Sequence, residues 1–558
     1  MSPKSAYILD GYVDEPACLG VSPFISPYVR TLAGVLRENG YTVEYLTIDQ
    51  VRGDPSSVLR MREAQLVVLI AGVTVPGKYL GGTPATLPEI YQLGSALTGP
   101  VTLITGPIGF GYSPGGGQRA KRKEFPGFDA FLSGSPASAL DNFLREGKTS
   151  GTFDYKREDP WSVLGSDIIR KHPRFPWVMC EIETARGCAR SLSGGCSFCT
   201  EPFYGRPVFR SIEGIAAEVR ALSRAGGRHF RLGRQPDILV FGASPAGEYP
   251  SPVPEKIREL FSAVRDSSPD LATLHIDNVN PATVARHPDE SRAALEAIVS
   301  FHTAGDVAAF GMESADPAVI AKNNLKAGPD EVMEAIRIVN EVGGRREGGI
   351  PHLLPGLNFI AGLPGETPRT YVLNRDFLMR VLASGYLVRR VNIRQLMPFE
   401  GTRAYTDNTL GVYQSHFRRF KDEVRRTFDF PMLQRVFPVG TVIRDVVIEE
   451  PGTTSFGRPM GSYPILVGIP LPLRPPAVID VVIVDHGMRS VTALPCPIEV
   501  NSLPLFALSW IPGVGRRLAG KIAAKRPFSD IAAFRAVAGV TPLEHLFSFV
   551  RSPEAQRP

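Results

Sequence analysis

Apolar residues in this chain gather in short runs, and the character of the runs changes along its length. Near the N-terminus Tyr7–Asp10 reads as a strand, and residues 30–39 carry helical spacing that stops at Gly40. Residues 42–48 alternate like a half-buried strand. Residues 66–71 and Val101–Thr105 are apolar runs, each closed by a glycine, as in strands covered on both faces. Strands alternating with helices predict an open, Rossmann-like parallel α/β sheet over residues 1–150. Residues 151–176 are polar and proline-bearing and read as a linker.

A second α/β series begins at Cys180. Strands are predicted at 180–184, 229–233, 273–277, 307–312, 357–361 and 388–394. Helical patterns at 212–225, 254–265, 329–342 and 367–383 lie between them. Six such units predict a partial (β/α)6 barrel over 177–435, a fold that places its chemistry at the C-terminal ends of the strands. Residues 436–500 then become β-rich, with short strands at 440–449, 463–469, 478–484 and 490–494, the pattern of a small β-barrel. Residues 501–558 return to helix. Gly115–Gly117, followed by Arg119, Lys121, Arg122 and Lys123, has no Walker pattern and reads as a flexible, solvated loop.

The 558 residues allow about three or four domains at ~100–200 residues each. With 43% hydrophobic residues, the chain can build real cores. No apolar run approaches the ~20 residues that cross a bilayer, and the first apolar stretch is too short for a signal peptide. The expected setting is the cytoplasm, with no membrane partner. The net charge of +6 is too small to announce nucleic acid by itself.

The six cysteines are Cys18, Cys180, Cys188, Cys196, Cys199 and Cys496. Three of them crowd into Arg186-Gly-Cys188 and Cys196-Ser-Phe-Cys199, a metal pattern rather than a disulfide framework. One reading is a structural zinc site with Cys180 as fourth ligand. Against it, Cys180 opens a buried strand, where a free cysteine is an ordinary core residue.

The other reading is a family resemblance. The three cysteines on the first β/α loop of a barrel resemble the radical S-adenosylmethionine (SAM) superfamily. That resemblance implies a [4Fe–4S] cluster held by Cys188, Cys196 and Cys199, with SAM on the fourth iron. It implies an electron donor and cleavage of SAM to a 5′-deoxyadenosyl radical. Phe198 would lie near the adenine. The usual spacing leaves three residues between the first two cysteines, and here there are seven. Ser193-Gly-Gly195 within that insertion is expected to fold over the cluster and form part of the active-site mouth.

Phe310-Gly-Met-Glu-Ser314 resembles the family's Gly-x-Glu-Ser motif, placing Glu313 on SAM. Asn358-Phe-Ile-Ala-Gly-Leu-Pro-Gly365 resembles its fifth-strand glycine motif, with Gly362 and Gly365 beside the adenine. Gln235, Asp237, His275, Asp277, Asn278, Arg394 and Glu400, at or after strand ends, are further candidates for SAM or substrate. A buried polar network is the alternative for each of these.

The N-terminal sheet resembles the cobalamin-binding domains that precede many such barrels. Its first histidine is His172, beyond the sheet, so a histidine-ligated cobalamin is not supported, while base-off binding without one stays open. Leu508-Ser-Trp-Ile-Pro-Gly-Val-Gly-Arg-Arg-Leu-Ala-Gly-Lys-Ile522 fits a helix-hairpin-helix. Gly513 and Gly515 would shape the hairpin, and Arg516, Arg517 and Lys521 would meet phosphates. From Leu503 onward the chain has eight basic and three acidic residues, most of the whole chain's excess. Gly440-Thr-Val-Ile-Arg444 and Gly457-Arg-Pro-Met460 resemble the TRAM domain, a small RNA-binding barrel.

Together these features point to a radical SAM enzyme that modifies nucleic acid, with RNA favoured, tRNA foremost, and DNA open. Two alternatives remain. One is a radical SAM enzyme on a small molecule or protein, with the hairpin docking a partner. The other is a non-enzymatic metal-containing DNA- or RNA-binding protein.

Overall fold

The computed structural model describes residues 4–12, 23–72, 82–244 and 246–549. Cys18, Arg551 and Arg557 lie outside them. The chain forms two compact units. The first comprises Met1–Gly344, Leu353–Lys421 and Gly461–Tyr463, and the second Arg345–His352, Asp422–Met460 and Pro464–Pro558.

In the first unit, strands β1 (Lys4–Asp10), β3 (Tyr41–Thr47), β4 (Leu66–Ile70), β5 (Val101–Thr105), β6 (Ala130–Gly134) and β7 (Ser150–Gly151) make one parallel sheet in the order β3-β1-β4-β5-β6-β7. All five residues of β4 are buried, which is why its sequence is uninterrupted Leu-Val-Val-Leu-Ile. Leu9, Val67, Leu69 and Ile104 form the core of one face with Ile90 and Leu93 of the helix Leu87–Ala96.

The segment read as a linker carries a helix. Helix α1 (Pro27–Glu38) packs against α2 (Tyr155–Leu164) so closely that a Cβ on Gly34 would stand 2.0 Å from the Trp161 carbonyl oxygen. The polar face of α2 hid this packing in the sequence.

The barrel strands are β8 (Met179–Glu183), β9 (His229–Gly233), β10 (Thr273–Ile276), β11 (Asp306–Glu313), β12 (Leu353–Ala361) and β13 (Arg390–Gln395). Neighbours pair in parallel, with β10 and β11 joined through the bridge between Asn278 and Ala309. The partial six-stranded barrel is therefore present. Its β8 edge is extended by β2 (Phe24–Ile25), which pairs in parallel with Met179 and Cys180. Arg30 of α1 is fully buried there and donates to Glu218 at 2.7 Å.

Cys180 is a core residue. Burial pushes its thiol up to about 12, and its sulfur packs toward Gly227. Gly115–Gly117 is not a free, solvated loop. Gly117 N–H donates to the Leu396 carbonyl at 2.9 Å, and a Cβ on Gly116 would come within 3.0 Å of the Gln395 carbonyl oxygen. Three bare glycines permit that approach at the C-terminal end of β13, and their polar surroundings masked it.

The second unit contains a closed barrel of β14 (Val442–Glu450), β15 (Ser455–Pro459), β16 (Leu466–Ile469), β17 (Val478–His486) and β18 (Ser490–Pro495), in the order β14-β15-β16-β18-β17. Helices at Leu505–Leu508, α3 (Arg516–Lys525) and α4 (Ile531–Ala538) follow. Val482 and Leu494 of the barrel share one core with Leu508, Ile522 and Phe534 of these helices. No helix among the described residues is long and apolar enough to cross a membrane.

Candidate active site

Strand β8 ends at Glu183, whose carboxylate anchors the cysteine loop. Arg186 and Arg234 pair with it at 2.7 and 2.6 Å, and Tyr155 donates at 2.9 Å. Burial alone would raise its pKa, but the two guanidiniums hold it down to about 2. Arg186 also lies over the rings of Phe153 and Tyr204. The Arg186 side chain thus props the loop from behind.

Beyond Cys188 the extra residues form a short 3-10 turn, Ala189–Ser193, closed by Gly194 at φ 78° and Gly195 at φ 64°. This turn is clamped. Arg403 donates to the Gly195 carbonyl at 2.8 Å, and Asn324 donates to the same oxygen and to Ser193 Oγ, each at 3.1 Å. A Cβ on Gly195 would meet Pro202 Cγ at 2.4 Å, so the backbone runs where only glycine fits.

The Cys196–Cys199 half is fixed in turn by Ser197, which donates to Asn323 Oδ1 at 2.6 Å. Burial raises all three thiols, Cys188 to about 11, and the Cys196 sulfur raises the other two further. Phe198 packs with Leu363 and Leu396, at the ends of β12 and β13.

Glu313, at the end of β11, is held at φ 59°, a conformation that a non-glycine residue adopts at a cost. Its Oε2 is buried without a partner, and burial raises the acid to about 7 against the opposing charges of Lys326 and Arg394. A Cβ on Gly311 would fall 2.4 Å from Glu313 Oε1 and 2.8 Å from Lys326 Nζ, so Gly311 makes room for both. Gln235 Oε1 and Asp277 Oδ2 are likewise buried and unpartnered. Buried polar atoms of this kind are open to a further hydrogen-bond partner.

Gly362 at φ 100° and Gly365 at φ 86° occupy left-handed turns, and the Gly362 N–H donates to Glu366 at 2.8 Å. In chemical type, thiols on the loop after β8 suit an iron–sulfur cluster, and carboxylate and amide oxygens at strand ends suit a polar cofactor.

Other candidates are accounted for differently. Asp237 accepts from Thr283 at 2.7 Å and caps the turn at Leu239. His275 Nδ1 accepts from Ser462 N–H at 2.8 Å, and Asn278 donates to the Gln235 carbonyl at 3.1 Å. Glu400 is 3.8 Å from the exposed Arg122. Sequence reasoning missed Arg190, Lys326 and Tyr463. Arg190 was visible as a cation inside the cysteine insertion. Tyr463 had no local signal, because it lies 186 residues from its partner Asp277, whose Oδ1 its hydroxyl reaches at 3.5 Å.

In the second unit, Gly513 sits at φ 83° and Gly515 precedes α3 as its N-cap. Arg516, Arg517 and Lys521 are exposed on α3.

Residues 182–378 match the family model described as Radical SAM superfamily. The chain belongs to the radical SAM superfamily. Over 554 residues it is 40% identical to an uncharacterized protein of Archaeoglobus fulgidus, covering 97% of this chain and 99% of that one. It is also 25% identical over 361 residues to the ribosomal protein uS12 methylthiotransferase RimO of Heliobacterium modesticaldum, covering 62% of this chain and 66% of that one. Among solved structures it is similar in fold to the radical SAM methyltransferase TsrM of Kitasatospora setae, determined with cobalamin and a [4Fe-4S] cluster. That likeness has a TM-score of 0.50 and 15% identity, over 72% of this chain and 74% of that one. The chain is a radical SAM enzyme, and membership brings a [4Fe–4S] cluster, SAM and the need for an electron donor.

Proposed function

We propose that this radical SAM enzyme transfers a one-carbon or sulfur-bearing group to RNA, with tRNA the leading substrate class. In this reading Cys188, Cys196 and Cys199 hold the cluster. The observation that carries this reading is the Radical SAM match over residues 182–378, which spans the three cysteines and Glu313, Gln235 and Asp277, whose buried oxygens lack a protein partner. Bound by the cysteines, the cluster supplies an electron to SAM. Glu313, Gln235 and Asp277 offer acceptors to the hydroxyl and ammonium groups of SAM. Phe198 and the turn from Gly362 to Gly365 offer an apolar edge to its adenine, and Arg394 and Lys326 offer positive charge.

Group transfer is supported by the likeness to RimO, named as a methylthiotransferase. RNA is supported by the exposed Arg516, Arg517 and Lys521 beside a glycine-capped helix start, where free amides and cations suit phosphate. Nucleosides from a deletion strain and its complemented parent, compared by mass spectrometry, test this reading. One modified nucleoside should disappear on deletion and return on complementation. If nucleosides are unchanged while a ribosomal protein loses a mass increment, the substrate is a protein and the RNA reading falls.

Cobalamin is a second component that one observation favours. The loop after β5 reaches the C-terminal end of β13 through Gly116 and Gly117, so the parallel sheet presents its ligand-binding edge to the barrel mouth. The sheet has no histidine before His172, which lies buried beyond it, so the sheet offers no histidine to cobalt and binding would be base-off. Hydroxocobalamin should co-elute with the protein in gel filtration. Elution of free corrinoid alone would rule this component out.

A further inference from the structure

We infer that Arg190, supplied by the extra residues between Cys188 and Cys196, tunes the reduction potential of the cluster. The inference rests on the three cysteines being the cluster ligands. Arg190 Nη1 donates to Cys196 Sγ at 3.3 Å. The guanidinium is held in place independently of that sulfur. Its Nη2 donates to Asn324 Oδ1 at 2.8 Å, its Nε faces Glu248 at 3.4 Å, and its plane lies 5.6 Å from the Tyr249 ring centre.

The backbone of the same residue closes the turn, since Gly195 N–H donates to the Arg190 carbonyl at 2.8 Å. The insertion therefore delivers one cation to one cluster ligand and locks it there. Arg190 is buried, and a buried cation needs a counter-charge. Glu248 provides only part of one, through a long contact from a side chain that is 32% exposed.

The thiolate side completes it. A cluster with three thiolates carries one net negative charge when oxidised and two when reduced. The attraction to Arg190 grows on reduction, so Arg190 favours the reduced form. Hydrogen bonds to sulfur and local charge are the protein's main controls on such potentials. A less negative potential lets a weaker electron donor prime the enzyme.

The test is an EPR-monitored redox titration of the anaerobically reconstituted full chain, with iron and sulfide counted first. In Arg190→Gln the equilibrium constant for one-electron reduction should fall about tenfold, a midpoint about 59 mV more negative. Arg190→Lys keeps the charge and should shift less. Glu248→Gln leaves the cation less neutralised and should move the midpoint the other way. Midpoints unchanged in both Arg190→Gln and Glu248→Gln, or displaced in the same direction, overturn the assignment. If Arg190→Gln fails to hold four irons, the opposite signs expected of Arg190→Lys and Glu248→Gln decide. A wild-type chain that binds no cluster fails at the iron count, which identifies the ligand assignment as the error.

Discussion

Asp277 shows how one distant residue sets the chemistry of another. Burial raises its acid to about 7, while the Tyr463 hydroxyl, with Arg231, pulls it back. The unfolded chain releases the same proton near pH ~3.9. Between those values the folded state holds more protons than the unfolded one, so this group makes stability fall as pH rises, levelling off above about 7. We expect Asp277→Asn to flatten that part of the curve when urea unfolding of the cluster-free protein is followed from pH 5 to 8. Tyr463→Phe removes a donor to the carboxylate, so it should carry the fall to higher pH. An unchanged curve in both variants would mean that Asp277 does not titrate in this range.

Gly195 makes the same point sterically. Alanine there must adopt φ near 64° and place its Cβ 2.4 Å from Pro202 Cγ. The left-handed backbone alone costs about 1–2 kcal/mol. Gly195→Ala should lower both the melting temperature and the iron bound per chain. Gly147→Ala, also at positive φ but with nothing near its Cβ and away from the cysteine loop, should lower the melting temperature alone. Equal iron in both variants would show that the turn does not shape the site. The motifs around Cys188, Cys196, Cys199, Glu313, Gly362 and Gly365 are legible in sequence because their spacing is local. Lys326 and Tyr463 are not, since only the closed fold brings them to Glu313 and Asp277.

At the level of elements, fully buried strands were the easiest to see. Leu66–Ile70 is an apolar run because both its faces are covered, whereas the first barrel strand, Met179–Glu183, buries Glu181 and Glu183 within its run. Helix α2 was hidden by its polar face and internal Pro160, and the docking of Gly115–Gly117 by the lack of side chains. The boundary expected at residue 500 follows a switch from strand to helix, yet the core does not respect it. Val482 and Leu494 pack with Leu508, Ile522 and Phe534, and Ile498–Glu499 pairs with Phe547–Ser548. Removing Leu503 onward would therefore uncover Val482, Val484 and Leu494 of the barrel and should give insoluble protein. Ile522→Ala, on α3, should cost about 2–5 kcal/mol by chemical denaturation of the second unit's transition. A loss under 1 kcal/mol, together with a soluble truncated chain, would show that the barrel stands without these helices.

For the whole molecule, this shared core decides how RNA binding must be tested. Deletion confounds lost contacts with lost folding, whereas the exposed cations of α3 can be neutralised without touching the core. The net charge of +6 over 558 residues gives little general attraction, so phosphate binding must come from local clusters. Each phosphate neutralised on a single strand contributes ~0.7 to the slope of log affinity against log salt. If Arg516, Arg517 and Lys521 each meet one phosphate, the Arg516→Gln, Arg517→Gln and Lys521→Gln triple variant should bind RNA more weakly at low salt. Its slope should also be shallower by about 2. The triple variant and the unsubstituted chain should converge in affinity as salt rises, because the contacts removed are the salt-sensitive ones. Weaker binding with an unchanged slope would mean that these residues support another surface rather than touch phosphate. Unchanged affinity and slope would remove α3 from the RNA path and leave it free to dock a protein.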